Sequence, residues 1–472
     1  MTTTAYPQTA LAGRSSGSSN VGLFLAAGIG VVLTAGLWVA GKPQPLRIAV
    51  PIVAAFIGWL LYSSRPVGYV SYSLWVWFLT PFIRRVVDWH FGFSEPNLIL
   101  LAPFLVSGIS ILALMPSTQR HKERIPVAFV LCGFAIFYGF IVGMLLHPSA
   151  ETFFGLVNWL CPMLFGLHLY LNWPKYEQYK AIITRTFVLA LLILGLYGNY
   201  QFFSPPTWDR YWLENVKADS FGRPEPLEVR VWSTMNSPGP FANTMMAGLL
   251  LLLVTRVPLK LPSAIAGYLS LLLSVVRTAW LSWIVGFLLI LKNANPRTIV
   301  RVILSMFFLL ACLVPLANDP RVAMVIGDRF GTFTDLSHDA SFGARIDMYK
   351  ILIHDAINSP FGLGLRNLEV SRDMAVDSGI LTLIFSVGWL GAALFLAGVV
   401  SLFLWGERST DKNDEFCRAA KAIAFAILAQ LIAGDVFVNV TGAIFWIFAG
   451  MYMAASPYHR SQAILATEPA SL

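Results

Sequence analysis

Runs of apolar residues long enough to cross a bilayer follow one another along nearly the whole chain. Nothing else constrains the fold so strongly. A spanning helix needs about 20 predominantly apolar residues, with a range of about 17–25. Candidate runs lie at 21–40, 46–62, 66–83, 97–116, 126–146, 152–172, 181–203, 240–255, 261–276, 279–291, 298–316, 379–405, 419–436 and 439–455. Several are short, notably 261–276 and 279–291. The expectation is an all-α, polytopic transmembrane helical bundle of about 12–14 spans. Composition agrees: 57% of residues are hydrophobic and 12% charged, where a soluble domain carries about 25% charged.

The net charge of +8 is dispersed over short loops. With no basic stripe to follow a phosphate backbone, nucleic acid is excluded as a partner. The loop cations instead report orientation. Arg120, Lys122 and Arg124, then Lys175 and Lys180, Arg256 and Lys260, Lys292 and Arg297, and Arg408, Lys412, Arg418 and Lys421 all fall on one side if every run is a span. The positive-inside rule makes that side cytoplasmic, with both termini. Arg84 and Arg85 fall on the other side and break the rule.

Four cysteines include no CxxC pair, so neither a disulfide nor a zinc site is expected. Residues 1–20 are rich in Thr, Ser and Gly and read as a disordered cytoplasmic N-terminus. No internal repeat is visible, which weakens a transporter reading.

Two polar segments land on the outer face, 204–239 and 317–378. The second holds fifteen charged residues, about a quarter of the chain's total. It contains Gly343-Ala-Arg345, apolar positions at helical spacing (Ile346, Tyr349, Ile353, Ile357), and Ser359-Pro-Phe-Gly362-Leu-Gly364. An amphipathic surface helix with Arg345 in its first turn fits this pattern, ended by a Gly-rich turn. Asp377 stands at the mouth of the next span, suited to general-base work or to an N-cap. Arg277 lies in a tight hairpin between two short runs. An arginine there offers a fork of donors to phosphate or carboxylate, or snorkels as a helix anchor. The 204–239 segment interleaves aromatics with Asp209, Arg210, Arg223 and Arg230, then runs through Asn236 to Asn243 at the next span, a composition suited to sugar faces and hydroxyls. Asp435 lies within an apolar run with Gln430, and reads as a buried polar helix contact.

Taken in order, Ser-Pro-Gly-Pro-Phe-Ala-Asn243, Val-Val-Arg277-Thr-Ala-Trp, Gly-Ala-Arg345, Pro360-Phe-Gly-Leu-Gly364 and Asp377 before Gly388-Trp-Leu-Gly391 resemble the O-antigen ligase and polymerase superfamily of bacterial membrane glycosyltransferases. The resemblance covers about residues 190–400, and Pro81-Phe-Ile-Arg-Arg85-Val-Val-Asp88-Trp is similar to a segment of some exopolysaccharide polymerases. It implies polymerisation of polysaccharide repeat units from an undecaprenyl-diphosphate-linked glycan at the periplasmic face of the inner membrane. Arg277, Arg345 and Asp377 are the implied catalytic residues. Arg230, Asn236, Asn243, Tyr349, Gly362 and Gly364 are the expected substrate contacts. Where ligases of the family commonly carry His-Asn, this chain has Asp377-Ser378, which favours a polymerase. A ligase transferring a finished glycan and a flippase of lipid-linked sugars are the other readings. The implied partners are the lipid-linked glycan, the bilayer, and chain-length regulator and export proteins. No cofactor or metal is expected, because a lipid diphosphate is already a good leaving group. The expected organisation is 1–20 disordered, 21–203 N-terminal spans, 204–239 first periplasmic segment, 240–316 spans with the Arg277 hairpin, 317–378 large periplasmic loop with short amphipathic helices, 379–455 C-terminal spans and 456–472 cytoplasmic tail.

Overall fold

The computed structural model describes residues 17–115, 124–216, 219–292, 340–365, 378–406 and 414–467, with isolated positions at 296, 299–300, 304 and 307. Most of the expected span 298–316, most of the large polar segment and the last five residues lie outside the description. Among the described residues the structure is helical, with one isolated β-bridge between Gly222 and Val229.

The chain opens with α1 (Gly17–Val39), α2 (Pro43–Ser64) and α3 (Pro66–Phe91). Proline opens α2 and α3, where its missing N–H costs nothing. The run at 97–116 is not one span. It forms a 3-10 turn Leu98–Leu101, the short α4 (Ala102–Gly108) and a second 3-10 stretch Ile109–Leu114. Next come α5 (Val127–Leu146), α6 (Ala150–Leu171), α7 (Tyr176–Phe203) and α8 (Thr207–Val216). The short pair of runs becomes α10 (Lys260–Leu273) and α11 (Arg277–Leu291), after α9 (Pro238–Val254). The remaining helices are α12 (Ala340–Ile357), α13 (Gly379–Gly406), α14 (Glu415–Leu428) and α15 (Asn439–Thr467). Among the described residues, six helical stretches are long and apolar enough to cross a membrane by length and composition: Pro43–Ser64, Val127–Leu146, Ala150–Leu171, Trp173–Phe203, Gly379–Leu404 and Asn439–Ala466.

Three boundaries differ from those expected. Helix α3 continues past 83 to Phe91 because Arg84, Arg85 and Asp88 find buried partners. Helix α15 runs to Thr467, absorbing most of the supposed tail. Asp435 is not inside a span: α14 ends in a 3-10 turn, Ala429–Ile432, and Asp435 follows it, exposed, in irregular chain.

Glycines bring the helices close where the bundle is densest. Gly166 of α6 and Gly450 of α15 face each other so tightly that a methyl on either meets the other helix's backbone. Such small-residue contacts suit a bundle whose helices gain nothing from leaving water. Helix α15 is the central post, with 94% of its most apolar window buried, against 28% for the peripheral α2.

The bundle has two distinct polar ends. At one, Asp414 caps α14 by accepting from the backbone N–H of Phe416 and Cys417, both at 3.1 Å. It also accepts from the Tyr176 hydroxyl (2.8 Å), pairs with Lys180 (3.4 Å) and meets His459 Nε2 at 3.0 Å. Lys175, Lys180 and Arg418 stand at this end, as the loop-charge pattern requires. Burial alone would push the Asp414 carboxyl up, but Lys180, the Tyr176 hydroxyl, the Cys417 amide and His459 outweigh it and hold its pKa below the ordinary carboxylate value. Because the folded value is the lower one, this stabilisation is complete above the ordinary carboxylate range and is lost as pH falls through the folded value. Thermal unfolding in detergent should therefore show an acid limb that Asp414→Asn flattens. An acid limb unchanged in the variant would remove Asp414 from that role.

Candidate functional site

The opposite end holds Arg230, Asn236 and Arg277 among the residues that the sequence singles out. Its foundation is a buried charge pair. Arg85 Nε lies 2.8 Å from Asp209 Oδ1, both side chains fully shielded. The other Asp209 oxygen accepts from the Tyr197 hydroxyl (2.7 Å) and Gln201 Nε2 (2.6 Å). The remaining Arg85 donors go to the carbonyls of Ser233 and Met235. Gln201 Oε1 accepts from the backbone N–H of Trp232 (3.1 Å) and Ser233 (2.9 Å). The Thr234 hydroxyl donates to the Phe78 carbonyl at 2.7 Å. An irregular buried segment, 231–235, is thus held by α3 and α7 through bonds to much of its backbone.

The same segment braces the Arg277 hairpin. Val231 N–H donates to the Leu273 carbonyl at 3.1 Å. Arg230 donates to the carbonyls of Ser274 (3.3 Å), Val275 (3.2 Å) and Ser220 (2.8 Å). Trp280 Nε1 reaches back to the Leu271 carbonyl at 3.0 Å. The last carbonyls of α10 are thereby occupied, which lets the chain reverse within Ser274–Val276. Val275 adopts φ +54°, an uncommon conformation for a β-branched residue. Arg277 is the first residue of α11 and is half-exposed. Arg230, expected as a substrate contact, braces the turn that presents Arg277.

Helix α11 packs on the 3-10 turn Ala429–Ile432. That turn carries the next links. Gln430 Nε2 donates to Asn243 Oδ1 (2.7 Å), and Asn243 Nδ2 donates to Thr441 Oγ1 (3.2 Å), all three buried. Asn243 thus pins α9 to α14 and α15. The Tyr349 hydroxyl donates to the Ile432 carbonyl (3.1 Å) and lies 2.6 Å from Ser378 Oγ. Ser378 Oγ accepts from the Leu381 N–H at 3.3 Å, so Ser378, not Asp377, caps α13. Tyr349 therefore ties α12 to the start of α13 and to the end of α14.

Asp377 and the Arg345 side chain lie outside the described residues. The backbone of Arg345 is one turn, about 6 Å, before Tyr349 in α12. The helix starts at Ala340, so Arg345 is in its second turn rather than its first. The argument from helix N-terminal anion preference no longer applies to it. Asp377 directly precedes the fixed Ser378. Asn236 is half-buried, and its shielded amide oxygen accepts no hydrogen bond from protein.

Gly362 and Gly364 serve packing. With φ +78° and +87°, they form a turn that inserts between α5 and α13. Helix α13 is broken at Gly388, φ +67°. The turn completes the broken helix. Leu363 N–H donates to the Phe385 carbonyl (2.6 Å), and the Pro360 carbonyl accepts from Trp389 N–H (3.0 Å). Leu365 N–H donates to the Gly139 carbonyl at 3.2 Å, and Trp389 Nε1 donates to the Ala356 carbonyl at 2.9 Å. Irregular backbone at membrane depth is tolerated only where protein meets its hydrogen bonds in this way.

Gln201 and the Arg85–Asp209 pair were missing from the candidate residues. Arg85 left a trace as a topological rule-breaker, and Asp209 as an acid in the segment it would reach. Among the described residues no group of His, Cys, Asp and Glu is placed to hold a metal. The chain matches no family model, and no curated protein matches it.

Proposed function

We propose that the chain polymerises polysaccharide repeat units on the periplasmic side of the bacterial inner membrane. The donor is a glycan on undecaprenyl diphosphate, and the acceptor is a sugar hydroxyl of a second lipid-linked unit. One observation carries the reading: at one end of the bundle, the 3-10 turn Ala429–Ile432 joins the helix that begins with Arg277 to Tyr349 and Ser378, the anchored neighbours of Arg345 and Asp377. Further support comes from the Asp414 end. It carries Lys175, Lys180 and Arg418, which the positive-inside rule assigns to the cytoplasmic side, and on this reading the opposite end faces the periplasm.

In the reaction, Asp377 takes the proton of the acceptor hydroxyl as its oxygen attacks the anomeric carbon. The bond from that carbon to the diphosphate oxygen breaks, and undecaprenyl diphosphate leaves. Arg277 and Arg345 stabilise the charge that builds on it. Asn236, with its unsatisfied shielded oxygen, accepts from a sugar hydroxyl. The apolar bundle gives the prenyl tails a surface to lie on.

Single Arg277→Ala, Arg345→Ala and Asp377→Ala variants in a host that makes the polysaccharide test this. Each is expected to lower polymer yield by about 10²-fold or more, leaving single repeat units on the carrier. Long chains still attached to the carrier would make the chain a ligase. Full activity in all three would overturn the site.

A further inference from the structure

A second feature lies along the face of α3 that carries Phe82, Ile83, Val86 and Val87. Helices α1, α2 and α3 leave between them an open groove of about 530 Å³, lined almost wholly by apolar side chains. It runs from Trp38, Leu46 and Val87 at the proposed periplasmic end down to Val31, Ile57 and Tyr72. Leu46 to Ile57 alone spans about 16 Å of helix axis. Helix α1 packs on α2, and α2 on α3, α4 and the turns beside it. The groove therefore belongs to the N-terminal edge of the bundle.

The upper end of the groove is charged. Leu46 and Val87 are next in sequence to Arg47 and Asp88, which pair at 3.0 Å. Asp88 also holds Arg84 at 3.1 Å and accepts from Asn97 Nδ2 at 2.9 Å. One carboxylate thus serves two buried guanidinium groups. Exposed Lys42 lies one turn before Leu46, and exposed Glu95 follows α3. This stretch of α2 and α3 and the turns beside it thus carries three cations, Lys42, Arg47 and Arg84, against two carboxylates, Asp88 and Glu95. Arg47 is 6% exposed; its Nη2 donates to Asp88 and to the Gly92 carbonyl at 2.7 Å, while its Nε is shielded without an acceptor. A desolvated guanidinium in positive surplus favours an anion with oxygen acceptors.

We propose that the groove holds one acyl chain of an anionic glycerophospholipid, with its phosphate at Lys42 and Arg47. The apolar length takes the chain. The excess positive charge at the end where a headgroup sits selects anionic over zwitterionic lipid. The site is independent of the glycan reaction and stands whether or not that reading does.

Native mass spectrometry of the full chain in detergent, with phosphatidylglycerol and phosphatidylcholine of matched chains, tests it. The native protein is expected to retain one phosphatidylglycerol with about fivefold preference. Lys42→Gln, an exposed change that leaves the buried pair intact, should reduce that preference. Ala35→Phe, on the groove wall, should remove retention of both lipids. Equal retention of the two lipids overturns the proposal, as does binding unchanged in Ala35→Phe. Displacement of phosphatidylglycerol by an equimolar polyprenyl phosphate also overturns it, by naming a different occupant.

Discussion

Arg85→Met is expected to destabilise the protein by about 3–5 kcal/mol, read as a lower denaturant midpoint in detergent. The change leaves the Asp209 carboxylate fully shielded with no cation opposite it, and strips the Ser233 and Met235 carbonyls of their donor. An uncompensated buried charge costs far more than a lost surface pair. Adding Asp209→Leu should recover part of the loss, because the stranded charge is then gone. Recovery should stay incomplete, since the two carbonyls still lack a donor. The activity of the double variant is the finer readout. The 231–235 segment both abuts Asn236 and props the Arg277 turn, so turnover should remain low after stability has partly returned. A single variant within about 1 kcal/mol of the native protein would show that Arg85 does not hold this end together.

Gly364→Ala is expected to cost more than about 4 kcal/mol or to prevent accumulation of folded protein. Two effects add. The φ of +87° strains any residue with a Cβ by about 1–2 kcal/mol. The new methyl would also overlap the Gly143 backbone of α5, which cannot retreat as a side chain can. Gly41→Ala separates the two, because Gly41 has φ +65° with open space around its Cβ position. That variant should lose only the conformational part, about 1–2 kcal/mol. Equal losses at the two positions would mean that the inserted turn is not closely packed.

The membrane-helical class was legible because low charge and long apolar runs leave few other solutions. Two of the loop cations that the sequence puts on one side, Lys180 and Arg418, do stand at one end of the bundle, where Lys180 pairs with Asp414 and Arg418 with Glu415. Boundaries were legible only where composition changes sharply. Helix α3 runs on through Arg84, Arg85 and Asp88 because Arg84 pairs with Asp88 one turn on, while Asp88 and Arg85 also find Arg47 and Asp209, partners that no local window contains. Arg230 and Arg277 look alike in sequence, yet one is turned onto carbonyls of a neighbouring hairpin and the other begins a helix. The Gly362–Gly364 motif announced a turn but not its place, since the break at Gly388 that receives it lies two dozen residues further on. Asp377 was read as both base and cap, and the structure gives the cap to Ser378.

The mutual completion of the 360–365 turn and the broken α13 has a consequence for how the molecule assembles. The turn leaves the ribosome before the helix that will satisfy it. Its Leu363 N–H and Pro360 carbonyl must stay hydrated until Phe385 and Trp389 arrive. The break at Gly388 and the 360–365 turn are therefore one unit, since neither has its backbone groups satisfied without the other, and Tyr349 fastens α12 to that same unit.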